Sequence, residues 1–404
     1  MVRQPIEPPV KIAVINRFYP PDPAPTGRAA QSLVQSLTTE LPGCEITVYT
    51  TRGVYDRRPT AGQAAAGVSL VTIPALYQGK QPILRLLSSV VEGLRLAYLA
   101  TRRADLVISL TDPPLLSFWV ALFVRRSGCA WIEWVMDVYP DFLVAARVVK
   151  PNNPIYLWLW RLACGHRPNR IIALGEPQLA YLHRTRGMAT PGFILPAGVL
   201  PAGALPEPAP ILATSGLVRL AYAGNLGDAH CPELVARLIE RATDRGFHFD
   251  VSVHGSRAKW LRRRLAGRSM VRWHDFLAQD QLAEADCHLV TLSAAATWLC
   301  VPSKAVSAVC MARPVIFAGS ADADSWAMLG QTGLLAGWLI AEQANGGFRD
   351  ADIDNVLAAV AKPQEREAKT AAAKELGDRL RAMEAATQRE IAAWIADHII
   401  VPKA

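Results

Sequence analysis

A lysine beside a helix start is the pattern in this 404-residue chain that best suits phosphate chemistry. The stretch Val301–Phe317 reads VPSKAVSAVCMARPVIF, and its Pro302 and Ser303 are typical helix-start residues, with Ser303 as the predicted N-cap. The free N–H groups and positive dipole end of a helix attract anions, and Lys304 adds a full charge beside them. The pattern predicts a diphosphate site at Ser303 and Lys304. An ordinary capped helix with a surface lysine is the alternative.

A glycine-flanked asparagine follows a predicted strand in YAGNLGDAH, residues 222–230. Gly224 and Gly227 permit a tight turn in which Asn225 and backbone N–H groups approach a phosphate or a sugar. The spacing differs from the glycine fingerprint of dinucleotide-binding folds, so a purely structural turn fits equally well.

A second glycine turn lies in VHGSRAKW, where a predicted strand ends at His254 and Gly255. Arg257 follows in the loop or the first helical turn. Its guanidinium fork has the geometry to pair with a diphosphate.

A proline-rich loop near the start, FYPPDPAPTG, leads directly into a predicted helix through Thr26 and Gly27. Glycine at this point lets a ligand or a facing domain approach the backbone, and Thr26 can cap the helix or donate a hydrogen bond. Alone, this pattern has low specificity.

The composition limits the function classes. The formal net charge is +8 with a pI of about 9.2, which favours an anionic membrane surface or phosphorylated substrates as partners. We expect no nucleic-acid partner, because the arginines are mostly dispersed and no nucleic-acid motif accompanies them. The 7 cysteines show neither CxxC nor Cys/His metal spacing, which is typical of reduced thiols in a cytosolic protein without a metal site. The sequence shows no signal peptide and no bilayer-spanning apolar run, so we expect a cytoplasmic location.

Predicted strands and helices alternate along the chain, as in a parallel sheet covered by helices on both faces. The strands of the first set are predicted at 11–16, 45–51, 68–74, 106–110, 131–136 and 171–174, the last being the final core strand of that set. Ligands bind beyond the carboxyl ends of such strands. The loops RFYPPDPAPTG, SLTDPP and VMDVYPD all lie at predicted carboxyl ends.

A proline-, alanine- and glycine-rich stretch at 196–216 marks a predicted linker. A second alternating set follows, with strands at 219–223, 249–254, 270–274 and 287–292, the strand within 301–317, and 334–340. We therefore predict an N-terminal domain at 1–195, a C-terminal domain at 217–380, and a C-terminal helix at 381–404 that packs back on the N-terminal domain.

These pieces, in this order, resemble the GT-B glycosyltransferases of family 4, in particular the bacterial WbuB-like branch that builds surface polysaccharides. The matching stretches are FYPPDPAPTG, TDPP and WVMDVYPD in the first domain, and YAGNLGDAH and VPSK followed by ARPVI in the second. The resemblance covers nearly the whole chain. It implies two facing Rossmann-like domains, a nucleotide-diphosphate sugar donor held mainly by the second, and an acceptor against the first.

The resemblance also assigns residues. It implies that Gly27 lines the cleft near the donor phosphates and that Asn225 and Gly227 face the same place. Ser303 and Lys304 would meet the diphosphate. The resemblance also implies a base site at Phe276 and Leu277, held largely by backbone.

The resemblance implies that Asp137, in WVMDVYPD, stands near the acceptor. A carboxylate at that strand end could orient or deprotonate an acceptor hydroxyl. An N-cap or a loop salt bridge is the alternative role.

Two departures from the family pattern affect the donor site. The family often carries two glutamates separated by seven residues, and the corresponding positions here are Leu299 and Ser307. Ser307 stands where the ribose-binding carboxylate is expected and would make one weaker hydrogen bond instead.

Two segments favour contact with a membrane surface. KQPILRLLSSVVEGLRLAYLATRR at 80–103 is amphipathic and basic at both ends, and IYLWLWRLA at 155–163 carries two tryptophans and a tyrosine. Helices packed on the sheet are the alternative.

We therefore predict a retaining, metal-independent glycosyltransferase that uses a nucleotide-diphosphate sugar as co-substrate and a lipid-linked or glycan acceptor, without a further cofactor. A nucleotide-sugar epimerase on the same fold and a degenerate, non-catalytic binding subunit are the rival hypotheses. An epimerase would convert a nucleotide sugar without an acceptor, so product analysis with donor alone distinguishes it from a transferase. Normal binding of nucleoside diphosphates would weaken the hypothesis of a degenerate subunit.

Overall fold

The computed structural model describes residues 9–22, 24–52, 67–77, 81–165, 167–186, 190–203, 217–227, 229–343 and 347–400. The chain forms two compact units. Unit 1 consists of Met1–Asp141, Lys150–Ala197 and Glu384–Ala404, and unit 2 consists of Phe142–Val149 and Gly198–Met383. Of the predicted linker, residues 204–216 lie outside the described residues.

Unit 1 is a seven-stranded parallel sheet with the spatial order β3-β2-β1-β4-β5-β6-β7. Its strands are β1 (Lys11–Ile15), β2 (Glu45–Arg52), β3 (Ser69–Pro74), β4 (Leu106–Ser109), β5 (Ala130–Trp134), β6 (Arg170–Ala173) and β7 (Gly192–Ile194). Its helices are α1 (Pro25–Glu40), α2 (Pro82–Thr101), α3 (Leu116–Ser127), α5 (Pro154–Gly165) and α6 (Glu176–Arg186), and the short α4 (Asp141–Ala145) begins at its boundary.

Unit 2 is a six-stranded parallel sheet with the order β10-β9-β8-β11-β12-β13. Its strands are β8 (Arg219–Asn225), β9 (His248–His254), β10 (Val271–Trp273), β11 (Cys287–Thr291), β12 (Val315–Gly319) and β13 (Gly337–Ala341). Its helices are α7 (Pro232–Asp244), α8 (Ala258–Arg264), α9 (Gln279–Ala283), α10 (Ser303–Cys310), α11 (Asp324–Leu329) and α12 (Asp350–Ala361). The 33-residue helix α13 (Pro363–Ile395) begins in unit 2 and ends in unit 1, followed by a π-helical turn, Ala396–Ile400.

The central strands are continuous apolar runs because both faces of each sheet are covered. On β11, Leu289 packs into one hydrophobic cluster with α7 and α12, and its neighbour Val290 packs into another with α10 and α13. On β12, Ile316 and Phe317 divide between the same two clusters. Successive strand residues point to opposite faces, so the apolar run supplies a core on each side.

Each sheet has one point where the strand order reverses. β1 lies between β2 and β4 in unit 1, and β8 lies between β9 and β11 in unit 2. Ligands of doubly wound sheets bind beyond the carboxyl ends of the strands at such a point. The fold therefore predicts ligand sites among the residues that follow β1, β4, β8 and β11.

The predicted fold class, two doubly wound α/β domains, is confirmed. The predicted last core strand of unit 1 corresponds to β6, and β7 adds a half-buried edge strand beside it that was not predicted. β7 has only three residues and begins at Gly192 directly after Pro191, so it is too short to show a strand period.

Candidate functional site

Helix α10 begins beyond the carboxyl end of strand β11 in unit 2. The helix begins at Ser303, Pro302 takes the N-cap position in an extended conformation, and no side chain caps the helix. The prediction of Ser303 as the N-cap was therefore wrong, because Pro302 fixes the entry into the helix one residue earlier. Ser303 is the first helical residue. Its backbone N–H is one of the first-turn N–H groups that have no acceptor within the helix.

Lys304 extends back over the sheet from that first turn. Its Nζ lies 4.8 Å from the centre of the Tyr222 ring, and it has no hydrogen-bond partner among the described residues. Burial lowers the pKa of Lys304 to about 8. A buried ammonium without an anionic partner is costly to the fold, so this side chain has the character of a ligand-binding group.

Gly224 lies next to Lys304. Its φ is +116°, and a Cβ at this position would lie in ordinary contact with Lys304, 3.4 Å from Cε and 3.6 Å from Nζ. The backbone conformation therefore favours glycine at the end of β8.

His230 is a second buried group near Lys304 that sequence reasoning left without a role. Its Nδ1 lies 2.6 Å from the carbonyl oxygen of Thr291, at the end of β11. Burial first, and then the charge of Lys304, lower the pKa of His230 to about 3. The ring is therefore neutral, Nδ1–H donates to the carbonyl, and Nε2 carries the lone pair. The only sequence feature that pointed to His230 was its position at the end of YAGNLGDAH.

The turns after β8 and β9 form one surface. Asn225 lies between Gly227, where a Cβ would be 3.2 Å from Asn225 Nδ2, and Gly255, where a Cβ would collide with Asn225 Oδ1. Leu226 N–H donates to the His254 carbonyl at 2.8 Å, and Arg257 N–H donates back to the Leu226 carbonyl at 3.3 Å. The two glycine turns singled out in the sequence thus come together.

Three other predicted residues lie further out on unit 2. Arg257 is the N-cap residue of α8, and its side chain is exposed. Phe276 and Leu277 follow the edge strand β10; Phe276 is 54% exposed and Leu277 only 5%. The buried Leu277 side chain leaves backbone groups as the polar features of this segment, and no described hydrogen bond joins it to Lys304.

Ser307 is engaged within the protein. Its Oγ donates a 2.8 Å hydrogen bond to the Gly198 carbonyl, and Leu299 is buried in the core. Gly198 has φ +100°, and a Cβ there would lie 2.6 Å from the Ser303 carbonyl oxygen, so this segment packs directly on α10. The resemblance predicts a ribose-binding carboxylate at position 307. The serine found there forms a hydrogen bond within the protein instead.

The far end of α10 is held by α13. A Cβ on Gly377 would lie 2.5 Å from the Val309 carbonyl, so the two helices touch backbone to backbone. Arg381 donates to the Cys310 carbonyl and to the Leu200 carbonyl, each at 3.3 Å. A guanidinium at a helix C-terminus satisfies free carbonyls and complements the dipole.

In unit 1, Thr26 and Gly27 lie within the first turn of α1, which begins at Pro25 after the N-cap Ala24. The predicted capping role of Thr26 was wrong; its Oγ1 accepts a 3.3 Å hydrogen bond from Asn16 Nδ2. A Cβ on Gly27 would lie 3.0 Å from the Phe18 carbonyl. Close packing of α1 on its own loop therefore favours glycine at this position.

Asp137 lies just beyond the end of β5. The hydroxyl of Thr111, beyond the end of β4, accepts hydrogen bonds from the backbone N–H groups of Met136 at 3.1 Å and Asp137 at 3.0 Å. Burial, and then the charge of Asp112, raise the pKa of Asp137 to about 7. A carboxyl group with a pKa near neutrality suits general acid or base work.

Asp112 is a second carboxyl group that sequence reasoning did not assign, although TDPP marked a strand end. Burial raises its pKa to about 6; Arg17 opposes this shift, while Glu92 and Asp22 add to it. Arg17 is already engaged, with NH2 3.1 Å from Glu92 Oε2 and NH1 donating to Ser89 Oγ at 3.0 Å. The carboxyl edge of unit 1 therefore carries more acidic than basic groups.

In the part of the chain that the structure describes, no group of three or more His, Cys, Asp or Glu residues is arranged to hold a metal ion. Within the same described ranges, no helix is long and apolar enough to cross a membrane. The cysteines described, which do not include Cys164, are free thiols.

The two doubly wound sheets define the GT-B fold. Sucrose-phosphate synthase from Thermosynechococcus elongatus superposes with a TM-score of 0.67 at 15% identity, covering 96% of this chain and 98% of that one. WaaG, a glycosyltransferase involved in lipopolysaccharide biosynthesis, gives 0.66 at 17% identity, covering 95% and 99%. Anabaena HepE in complex with UDP and glucose gives 0.63 at 14% identity, covering 96% and 99%.

Among curated sequences, the chain is similar to the Probable glycosyltransferase WbjE of Pseudomonas aeruginosa, with 26% identity over 255 residues. This match covers 59% of the chain and 62% of that protein, less than two thirds of its length. No family model matches the chain.

Proposed function

We propose that this protein is a retaining glycosyltransferase that moves a sugar from a nucleoside-diphosphate sugar to a lipid-linked or glycan acceptor in surface polysaccharide synthesis. The observation that carries the proposal is Lys304 at the start of α10, whose buried Nζ has no hydrogen-bond partner among the described residues. The names of WbjE and WaaG support the reaction class, and the UDP and glucose bound by HepE support the donor class.

The donor diphosphate would bind at the start of α10. The free N–H groups of its first turn, the helix dipole and Lys304 all favour negative charge at one place. When the sugar leaves, charge builds on the diphosphate, and these fixed groups stabilise it without reorganisation. We therefore propose a metal-independent reaction. The surface formed by Asn225, Gly227 and Gly255 would contact the sugar or the phosphates.

The acceptor would bind at the carboxyl edge of unit 1. Asp137 is proposed to accept the proton of the attacking hydroxyl, or to orient that hydroxyl by a hydrogen bond. The support is its position beyond β5 and the pKa of about 7, which makes a carboxylate basic enough for this task at neutral pH.

A nucleotide titration of single variants tests the donor site. Lys304→Met should weaken binding of nucleoside diphosphates such as UDP by roughly 10- to 100-fold, since a charge-assisted contact contributes about 1.5–3 kcal/mol. Lys259→Met is the control, because Lys259 is exposed on α8. Calorimetry or thermal shift reads both. Unchanged affinity in Lys304→Met would remove the basis of the proposal.

A non-catalytic binding subunit is the second candidate, favoured by Ser307 and Leu299. The Ser307 hydroxyl is engaged by Gly198, so no carboxylate meets a ribose at this position. Chromatography of products after incubation with a nucleotide sugar separates the two. Free nucleoside diphosphate and a glycosylated acceptor support the transferase; tight nucleotide binding without turnover supports the binding subunit.

We further propose that unit 1 binds the cytoplasmic face of an anionic membrane. Leu84, Leu87, Val91 and Tyr98 are exposed on α2 at the spacing of one helical face. Ile155, Leu157 and Trp158 are exposed on α5, and α3 contacts both helices, through Tyr98–Phe123 and Phe118–Trp158 ring pairs at 5.6 and 6.1 Å. Exposed apolar side chains with Arg95 and Arg102 on the same face of α2 suit shallow insertion among acidic headgroups.

Co-sedimentation with vesicles tests this surface. The double variant Leu87→Ser, Trp158→Ser should lose binding to vesicles that contain phosphatidylglycerol. Leu217→Ser, which also changes an exposed leucine but lies in unit 2, should bind like the wild type. Equal binding of all three proteins would contradict the assignment.

A further inference from the structure

A small pocket in unit 1 lies between α3, β5 and α5. Its volume is about 20 Å³, more than the roughly 10–15 Å³ that one water-sized group needs. Phe118, Trp131 and Leu159 form apolar walls, and Glu133 and Arg186 form its polar floor. The wall residues Phe118 and Leu159 are half-buried, so the pocket opens toward the surface, whereas its floor is buried.

One carboxylate oxygen at the floor of the pocket has no hydrogen-bond donor among the described residues. Glu133 is 1% exposed and pairs with Arg186 through Oε2 at 3.2 Å. Its other oxygen, Oε1, is buried, and none of the described groups donates a hydrogen bond to it. An unsatisfied buried oxygen is costly, and each such group in a folded protein calls for a partner.

The charge on the floor selects the kind of partner. Arg186 neutralises Glu133, and its other nitrogen donates to the Tyr139 carbonyl at 3.3 Å. An anionic group would meet Glu133 Oε1 and be repelled, and a cation would meet Arg186. An uncharged hydroxyl satisfies Oε1 without adding charge to a buried pair.

Thr111 connects the pocket to the proposed acceptor edge. Its side chain lines the pocket, and its Oγ1 accepts the backbone N–H groups of Met136 and Asp137. Tyr139 and Pro140, which follow Asp137 in the chain, line the pocket as well. A group bound on Glu133 therefore lies beside the segment that carries Asp137.

We propose that this pocket is an acceptor subsite, which takes one uncharged hydroxyl group of the acceptor on Glu133 Oε1. This assignment rests on the proposed transferase function. It names the acceptor class as neutral and hydroxyl-bearing at this position, in contrast to an acidic or amino sugar.

A direct binding measurement tests the subsite without turnover. The probes are butyl hexosides that are neutral, carry a carboxylate, or carry an amine, read by saturation-transfer NMR with the full-length protein. The wild type should bind the neutral glycoside roughly tenfold more tightly than the other two. Equal binding of all three, or binding of none, would overturn the proposal and leave Glu133 with a bound water as its partner.

A matched pair of variants on α3 locates the binding. Ser117 lines the pocket and is half-buried, so Ser117→Leu narrows the pocket without burying new polar groups. Ser127 is exposed at the end of the same helix, and Ser127→Leu is the control. Ser117→Leu should weaken the neutral glycoside at least tenfold, with UDP affinity and melting temperature close to those of the control. Equal glycoside binding by the two variants would contradict the subsite.

The outcomes separate the two proposals. Loss of glycoside binding in Ser117→Leu with normal UDP binding supports the subsite. Normal UDP binding and transfer with unselective glycoside binding refutes the subsite alone. Absence of nucleotide binding in the wild type refutes the transferase function, whatever the glycosides do.

Discussion

The carboxyl edges of the two sheets differ in the charge that each buries. In unit 2 the buried group is a cation, Lys304, with a pKa lowered to about 8. In unit 1 the groups are two half-buried acids, Asp112 and Asp137, with pKa values raised to about 6 and 7. The same strand order thus supports two edges of opposite chemistry.

The two edges are suited to bind different groups. Lys304 is mostly protonated at pH 7, so unit 2 presents a positive charge that an anion would stabilise. Asp137 is about half ionised at pH 7, so unit 1 presents a group that exchanges a proton with a neutral hydroxyl. The contrast supports assigning the diphosphate to unit 2 and the acceptor to unit 1.

The largest expected effect is on sugar transfer in Asp137→Asn. An asparagine keeps the shape but takes no proton, so transfer should fall by roughly 10²–10⁴-fold, as for the loss of a general base. Nucleotide binding should remain. Asp141→Asn is the matched control, because Asp141 also has a raised pKa but accepts a hydrogen bond from Tyr181. Initial rates of both variants measure the effect, and equal losses would break the contrast between the units.

A smaller effect is expected on the acid limb of the pH profile. Asp137 must be ionised to act as a base, so wild-type transfer should fall as the pH drops below about 7. The charge of Asp112 raises the pKa of Asp137, so Asp112→Asn should move this limb to lower pH. Transfer rates between pH 5 and 8, each relative to the variant's own maximum, measure the shift. A limb that stays in place would show that the two carboxyl groups act independently.

The smallest expected effects are on melting temperature. Burial lowers the pKa of Lys304, so its protonated form destabilises the fold fully below about pH 8, and the penalty is lost above the unfolded pKa near 10.5. Lys304→Met should therefore raise the melting temperature by a few degrees at pH 7.

The contribution of Asp137 to the stability of the fold changes with pH in the opposite direction. Its raised pKa means that the folded state loses stability as the pH rises from about 4 through 7. Asp137→Asn should raise the melting temperature at pH 8 and leave it nearly unchanged below pH 4. Scanning calorimetry of both variants at the two pH values checks the signs, and a drop in both would show ordinary structural roles.

The sequence predicted the elements whose physics is local. Alternating strands and helices, the glycine turns at Gly224 and Gly255 and the helix start before Lys304 all follow from short-range patterns. Each glycine turn was placed directly after a predicted strand, but their packing around Asn225 follows from the pairing of β8 with β9, which the sequence does not show.

Other features depend on contacts that the sequence does not display. The role of His230 follows from the Thr291 carbonyl, 61 residues away. The engagement of Ser307 depends on Gly198, 109 residues earlier. The Glu133–Arg186 pair, like the Asp112–Asp137 coupling, joins residues on separate elements, and only the folded chain places them together.

The anchoring of α10 by Gly377 and Arg381 bears on the heat signature of binding. A helix that is fixed at its far end before the nucleotide arrives loses little conformational entropy on binding. Titration calorimetry of a nucleoside diphosphate should then show a small heat-capacity change from ordering, in contrast to a loop that folds around its ligand. Gly377→Ala, which would push the two helices apart, should weaken nucleotide binding through a larger loss of entropy, although Gly377 packs against the far end of α10, at Val309.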